Sequence, residues 1–191
     1  MISSASRTDT GASTEDEPVG GPSRVVLALG SNEGDRLHHI SSGVEVLETG
    51  IRLEAVSGVY ESAPVGYLEQ GDFLNAVLVG RTTLAPRELL QLAWAAEDVA
   101  GRVRSFPNAP RTLDVDLVFY GHLEIDEEGL VIPHPRWSER SFVLAPMAEV
   151  VPDVRPPSDP RTVAQRWADS RSRLPSVRRV AAPEVIWRRR S

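Results

Sequence analysis

Apolar residues recur in two rhythms along this chain, one of period two and one near 3.6, and their alternation predicts the elements. Arg24 to Gly30 (RVVLALG) is a short apolar run ended by Gly-Ser-Asn, the pattern of a buried strand entering a turn. Asp35 stands where it can cap a helix, and Leu37, Ile40, Val44 and Leu47 follow at helical spacing. Gly50 comes where a left-handed residue usually closes a helix. Ile51 to Ser62 reads as a strand with Ile51, Leu53, Ala55 and Val59 on one face, and Phe73 to Thr82 as a second. Pro86 suits the first turn of a helix that runs on to Gly101.

Leu113 to Gly121 alternates cleanly. Leu113, Val115, Leu117 and Phe119 are expected on one face, and Asp114, Asp116, Val118 and Tyr120 on the other. Short strands are expected near Leu123 to Ile125 and Leu130 to Ile132. A short helix over Ser138 to Val150 should be interrupted or ended near Pro146, and a weak one is expected over Val163 to Ser170. The order β-α-β-β-α-β predicts an α+β fold, a ferredoxin-like sandwich whose helices cover one face of a mainly antiparallel sheet. The domain expected is residues 24–152. Residues 1–23, rich in Ser, Thr, Gly and acids, read as a disordered tail, and 153–191 as an extension that is partly helical or loose.

Composition narrows the chemistry. With 191 residues, 41% hydrophobic and 25% charged, the chain can bury a core without staples. The absence of cysteine excludes disulfides, thiolate metal sites and cysteine nucleophiles, so any metal must be held by oxygen or imidazole. A net charge of −6 argues against general nucleic-acid binding. No apolar run approaches the ~20 residues of a membrane span, and no secretory signal is recognisable, so a cytoplasmic location is expected. All 21 basic residues are arginine, which leaves phosphate recognition to guanidinium groups.

Asp114 and Asp116, two apart on a strand, put two carboxylates on one face about 7 Å apart at the backbone, a spacing that suits magnesium. Alone, the pair is equally a solvated acidic strand face. Arg102, Arg104 and Arg111 lie in the proline-containing loop that delivers the chain into that strand, and metal opposite guanidinium is what phosphoryl chemistry asks for. Phe73 and Asn75 share a strand face, and with Phe142 they could hold a flat heterocycle. His134, between two prolines and followed by Arg136 and Arg140, could donate to a phosphate. No P-loop, dinucleotide fingerprint, kinase motif set or nucleophile elbow is present.

Four segments in order, ALGSNEGDR, YESAPVGYLEQGDFLNAV, GRVRSFPNAPRTLDVDLVFYG and IPHPRWSERSFVLAPMAEV, resemble the 6-hydroxymethyl-dihydropterin pyrophosphokinase family of folate biosynthesis, from about Arg24 to Pro152. The resemblance implies an α-β-α sandwich with a ferredoxin-like core. It implies two magnesium ions on Asp114 and Asp116, bridging ATP and a reduced pterin. Asn75 would read the pterin edge, Phe73 and Phe142 would stack on its faces, and the backbone of Ser62, Ala63 and Val65 would complete that pocket. Arg102 and Arg111 would contact the phosphates, while Glu97, Arg104, Leu117, His134 and Arg136 would lie at the nucleotide. The pterin hydroxymethyl oxygen would attack the β-phosphorus, with AMP leaving. The partners implied are those two small molecules, with no nucleic acid or membrane, and the chain is expected to be a monomer. A non-catalytic pterin or nucleotide sensor and an RNA-binding sheet are the competing readings; the retained aspartates and loop arginines count against the first, and a sheet face carrying Asp114 and Asp116, which would repel phosphate, against the second.

One departure stands out. Where the family usually has Trp-Gly before the Pro-Arg of the third segment, this chain has Asn108-Ala109, and Ser105 takes a family lysine position. A lid without its indole is expected to close more weakly, and restoring Trp at position 108 is expected to lower the apparent ligand constants.

Overall fold

The computed structural model describes residues 21–157 and 159–188; most of the N-terminal tail expectation, up to residue 20, lies outside the described residues. The centre of the sheet is β1 (Ser23–Ser31), buried continuously from Val25 to its end. It pairs antiparallel on one side with β4 (Phe73–Thr82) and on the other with β5 (Asp114–Tyr120). Beyond β4 the edge is shared by β2 (Arg52–Val56) and β3 (Val59–Ser62); β6 (Ile125–Glu127) and β7 (Leu130–Ile132) form a separate two-stranded ribbon, and β3 in turn pairs with β8 (Val177–Ala181). Every pairing is antiparallel, as the ferredoxin-like expectation requires.

Helices cover both faces rather than one. Helices α1 (Arg36–Leu47) and α2 (Pro86–Val99) close one core, in which Ile40, Val44, Leu47, Leu89 and Ala93 meet Leu27, Leu29, Leu78, Leu113 and Val115. Helices α3 (Ser141–Val150) and α4 (Val163–Ser170) close the other, where Val143, Leu144, Met147 and Val163 meet Val26, Val77, Val79 and Phe119. Each fully buried aliphatic side chain contributes roughly 1.5–3 kcal/mol. An antiparallel sheet with one wet face needs alternating polarity, and β1 has none; that continuous apolar run is the signal for a second helical layer.

The alternation expected for Leu113 to Tyr120 holds only as far as Val118. Leu117 faces Leu27, but Val26 faces Phe119, so Val118 is an extra residue in the β1–β5 ladder. Such a bulge exchanges faces, and Phe119 therefore joins the α3 core while Tyr120 joins the α1–α2 core. Likewise the strand expected over Ile51 to Ser62 is broken. At the break Ser57, fully buried, donates its backbone N–H to the Val77 carbonyl, and its hydroxyl accepts from the Val77 N–H at 2.9 Å.

Asp35 caps α1 through the His38 N–H, as its position suggests. Gly50 is not left-handed. A side chain there would meet the terminal methyls of Leu84 and Leu92 at 2.7 Å, so the glycine lets those two leucines pack closely. Helix α3 runs through Pro146 without stopping, because the apolar side chains around that residue, Val143 to Met147, are all buried and hold the turn. The chain end up to Trp187 is also tied down: Ile186 enters the α1–α2 core and the Trp187 indole donates to Glu48 at 2.9 Å.

Glu149 on α3 joins these layers, accepting from the Gly58 N–H, the Tyr60 hydroxyl and Arg179 of β8. Burial, then the bond to the Glu149 carboxylate, pushes the Tyr60 phenol up to about 12. The folded pKa lies above the ordinary 10, so this group's stabilisation is intact below pH 10 and is lost as pH rises toward 12. An ultraviolet titration should show Tyr60 ionising late, and Glu149→Gln should lower its midpoint only in part, since burial remains; an unchanged midpoint would show that Glu149 contributes nothing to the shift.

Candidate active site

The site forms at one end of the sheet, on the α3 face. In β1 and its neighbours, Gly30 lies opposite both Asn75 and Asp114, and Ala28 opposite Asp116. These small residues leave the floor open. A Cβ on Gly30 would come 3.3 Å from Asn75 Oδ1 and 3.7 Å from the Phe73 ring, so the glycine is what lets a flat group approach that strand.

Each carboxylate is already met by guanidinium groups. Arg102 donates to Asp114 Oδ1 at 2.5 Å and Arg111 lies 2.9 Å from Asp114 Oδ2. Arg140 donates to Asp116 Oδ2 at 2.9 Å, and His134 Nε2 is 3.7 Å from the same oxygen. Burial holds the His134 imidazole below its usual range, ahead of the opposing pull of Asp116. The Arg111 and Arg140 guanidiniums also lie over Phe73 and Phe142, at 5.0 and 5.6 Å from the ring centroids. Arg111 Nε is buried with no acceptor, a donor left over once the guanidinium has paired with Asp114.

Glu97 organises the arginine side from beneath. Only 3% exposed, it accepts from the Val115 N–H at 3.0 Å, from Arg102, and from Arg104 at 2.6 Å. Burial raises its carboxyl pKa, with the Val115 N–H and the arginines pulling the other way. Across the site Asn32 staples three loops. Its Oδ1 accepts from the Arg111 N–H at 2.8 Å, and its Nδ2 donates to Gln70 and to the Gly71 carbonyl. Gln70 in turn donates to the Asn108 carbonyl.

Two pockets flank the aspartates. The first is lined by Ser62, Ala63, Val65, Phe73, Asn75, Asn108, Arg111, Arg136, Arg140 and Phe142. Its volume is about 210 Å³, below the ~300–1,000 Å³ of sites for drug-sized ligands, and so suited to one small ring system. Asn75 Nδ2 donates to Ser62 Oγ at 3.0 Å and to the Tyr60 carbonyl, which turns its oxygen toward Gly30 and the pocket. The second pocket is lined by Leu90, Trp94, Glu97, Arg102, Arg104, Leu117, Val131 and His134. Asp114 and Asp116 are the residues common to both.

All the residues expected from the sequence gather here. Arg136, expected at the nucleotide, borders the first pocket. Arg140, Asn32, Gln70 and Trp94 were not singled out as site residues. A second arginine close after His134 was a usable signal for Arg140; nothing local marked the other three.

Asn108 revises the expectation about the missing tryptophan. Its φ is +61°, and its side-chain amide packs against Gly66. Asparagine tolerates that left-handed conformation, whereas an aromatic residue is strained there by roughly 1–2 kcal/mol. Asn108→Trp should therefore leave ligand constants unchanged or raise them, unlike the gain expected from sequence. Titration of both ligands checks this, and a several-fold gain would show that the loop reshapes around the indole.

Fold and site together define an enzyme of phosphoryl-group transfer, with carboxylates and arginines where two small-molecule pockets meet. The family model of 7,8-dihydro-6-hydroxymethylpterin-pyrophosphokinase matches residues 26–152, and the chain belongs to that family. It is 42% identical over 130 residues to the 2-amino-4-hydroxy-6-hydroxymethyldihydropteridine pyrophosphokinase of Bacillus subtilis, covering 67% of this chain and 78% of that one. The enzyme of the same name from Aquifex aeolicus is 41% identical, with 68% and 81% covered. Among solved structures, a Plasmodium falciparum HPPK-DHPS triple mutant superposes with a TM-score of 0.65 at 13% identity, over 84% of this chain and 46% of that longer one. That likeness speaks for the fold.

Proposed function

We propose that the chain transfers pyrophosphate from ATP to 6-hydroxymethyl-7,8-dihydropterin, releasing AMP and the pterin diphosphate. The observation that carries this reading is the pair of pockets that meet at Asp114 and Asp116. The first takes the pterin between Phe73 and Phe142, with the Asn75 oxygen accepting from the ring edge. The second takes ATP, with Leu90, Trp94, Leu117 and Val131 around the base, and Arg102, Arg104 and His134 toward the phosphates.

Asp114 and Asp116 fit magnesium, and two ions match the resemblance. The donors are carboxylate oxygens, and no group of three or more His, Cys, Asp or Glu that could hold a metal occurs among the described residues. That is the sparse protein contribution expected of an ion that keeps waters and takes phosphate oxygens. Magnesium bound there would neutralise phosphate charge as it builds up in the transfer. The chain's own residues supply the remainder. Arg102 and Arg111, now paired with Asp114, are free to exchange that carboxylate for phosphate oxygens once a cation takes their place. Glu97 keeps Arg102 and Arg104 on the nucleotide side. Asp114 borders both pockets and is positioned to accept the hydroxymethyl proton. Loops joined through Asn32 and Gln70 close over the reactants and exclude water.

Incubation with magnesium-ATP and hydroxymethyl-dihydropterin, followed by nucleotide separation, tests the proposal. AMP in equal amount to the pterin diphosphate is expected. ADP instead would make the protein an ordinary kinase, and no nucleotide product would overturn the enzyme reading.

A further inference from the structure

The C-terminal extension lies beyond residues 26–152, which the family model matches, yet it reaches the first pocket. Pro175 is one of that pocket's lining residues and stands exposed on its rim, in the short link between α4 and β8. Two residues on, Val177 of β8 pairs directly with Ser62, the residue whose hydroxyl accepts from Asn75. Arg178 then bonds Glu61 at 2.6 Å, and Arg179 reaches Glu149. The link is held at both ends: α4 packs on α3, which carries Phe142, and Ile186 beyond β8 is buried in the opposite core. Without β8, β3 would be an open edge strand, and the backbone from Ser62 to Val65 would be fixed from one side only.

We propose that this extension is a wall of the pterin pocket, with Pro175 the residue that sets its depth and the size of the reduced pterin it accepts. The inference rests on the first pocket being the pterin site. Proline suits such a wall because its ring is apolar and its φ is fixed, so it offers contact to a flat heterocycle at little cost in conformational freedom. Pro175 is not among the residues lining the second pocket, so a change there should leave ATP binding unaltered.

The test uses the full chain and two variants, Pro175→Ala and Pro175→Trp. Calorimetry measures 6-hydroxymethylpterin binding in the presence of magnesium and a non-hydrolysable ATP analogue, and analogue binding alone. Trimming the ring should weaken pterin binding about three- to tenfold, the worth of one or two buried methylenes. The indole should obstruct the pocket and weaken it further. In both variants the nucleotide constant and the melting temperature should stay at the wild-type values. Unchanged pterin binding in both variants overturns the proposal, as does a parallel shift of both ligands, which would mark a merely structural role. Failure of the wild-type chain itself to bind the pterin would instead overturn the substrate assignment, and this inference with it.

Discussion

Asp116→Asn is expected to fold normally and to lose about a thousandfold or more in turnover. The substitution keeps the shape of the side chain and removes one of the two charges available to magnesium, whose stabilisation of transferring phosphoryl groups amounts to several kcal/mol. Its stability cost should be small, because the side chain is 32% exposed and its partners are the Arg140 guanidinium at 2.9 Å and His134 at 3.7 Å. The experiment follows AMP release against magnesium concentration, alongside thermal melting. Near-normal turnover with an unaltered magnesium dependence would remove this aspartate from the reaction. Asp114→Asn separates a second role: if it turns over normally with normal metal affinity, Asp114 is not the proton acceptor.

Glu97→Ala should have the largest effect on stability of any change at the site. The side chain is 4% exposed and meets Arg102, itself 13% exposed, together with Arg104 and the Val115 N–H. Its removal leaves a buried guanidinium facing one fewer carboxylate and a backbone donor without an acceptor, a loss of about 3–5 kcal/mol. At roughly 2–4 °C per kcal/mol for a chain of this size, the melting temperature should fall by on the order of 10 °C. Glu97→Gln keeps an acceptor for Val115 and should lose less than half as much. Burial raises the pKa of Glu97, against the pull of the Val115 N–H and the two arginines. Equal melting temperatures for wild type and Glu97→Ala would show that the arginines find other partners.

Much of the site was legible because its central feature is local. Two residues apart on a strand means one face, whatever the strand pairs with, so Asp114 and Asp116 were certain to stand together once that segment was read as a strand. The same holds for Phe73 and Asn75, and for the cap that Asp35 places on α1. Gly50 shows the limit of local reading: a glycine after a helix suggested a left-handed turn, but the residue is not left-handed, and it is two leucines from elsewhere in the chain that pack against it.

What the sequence by itself determined, then, is the order of the main strands and helices, the apolar periodicity within each and the chemical character of the site, but neither the break at Ser57 nor β8, because periodicity and side-chain type are properties of a segment. Tertiary structure alone decided everything that depends on register or on residues distant in the chain. The β1–β5 ladder places the bulge at Val118 and so exchanges Phe119 and Tyr120 between the two cores. Loop convergence brings Arg140 to Asp116 and Asn32 to Arg111, and it holds Asn108 in the left-handed conformation that a tryptophan would resist. Pairing of β8 with β3 brings Pro175 of the extension to the first pocket. Alternation can be counted along one strand, but which partner lies opposite is settled only when two strands meet.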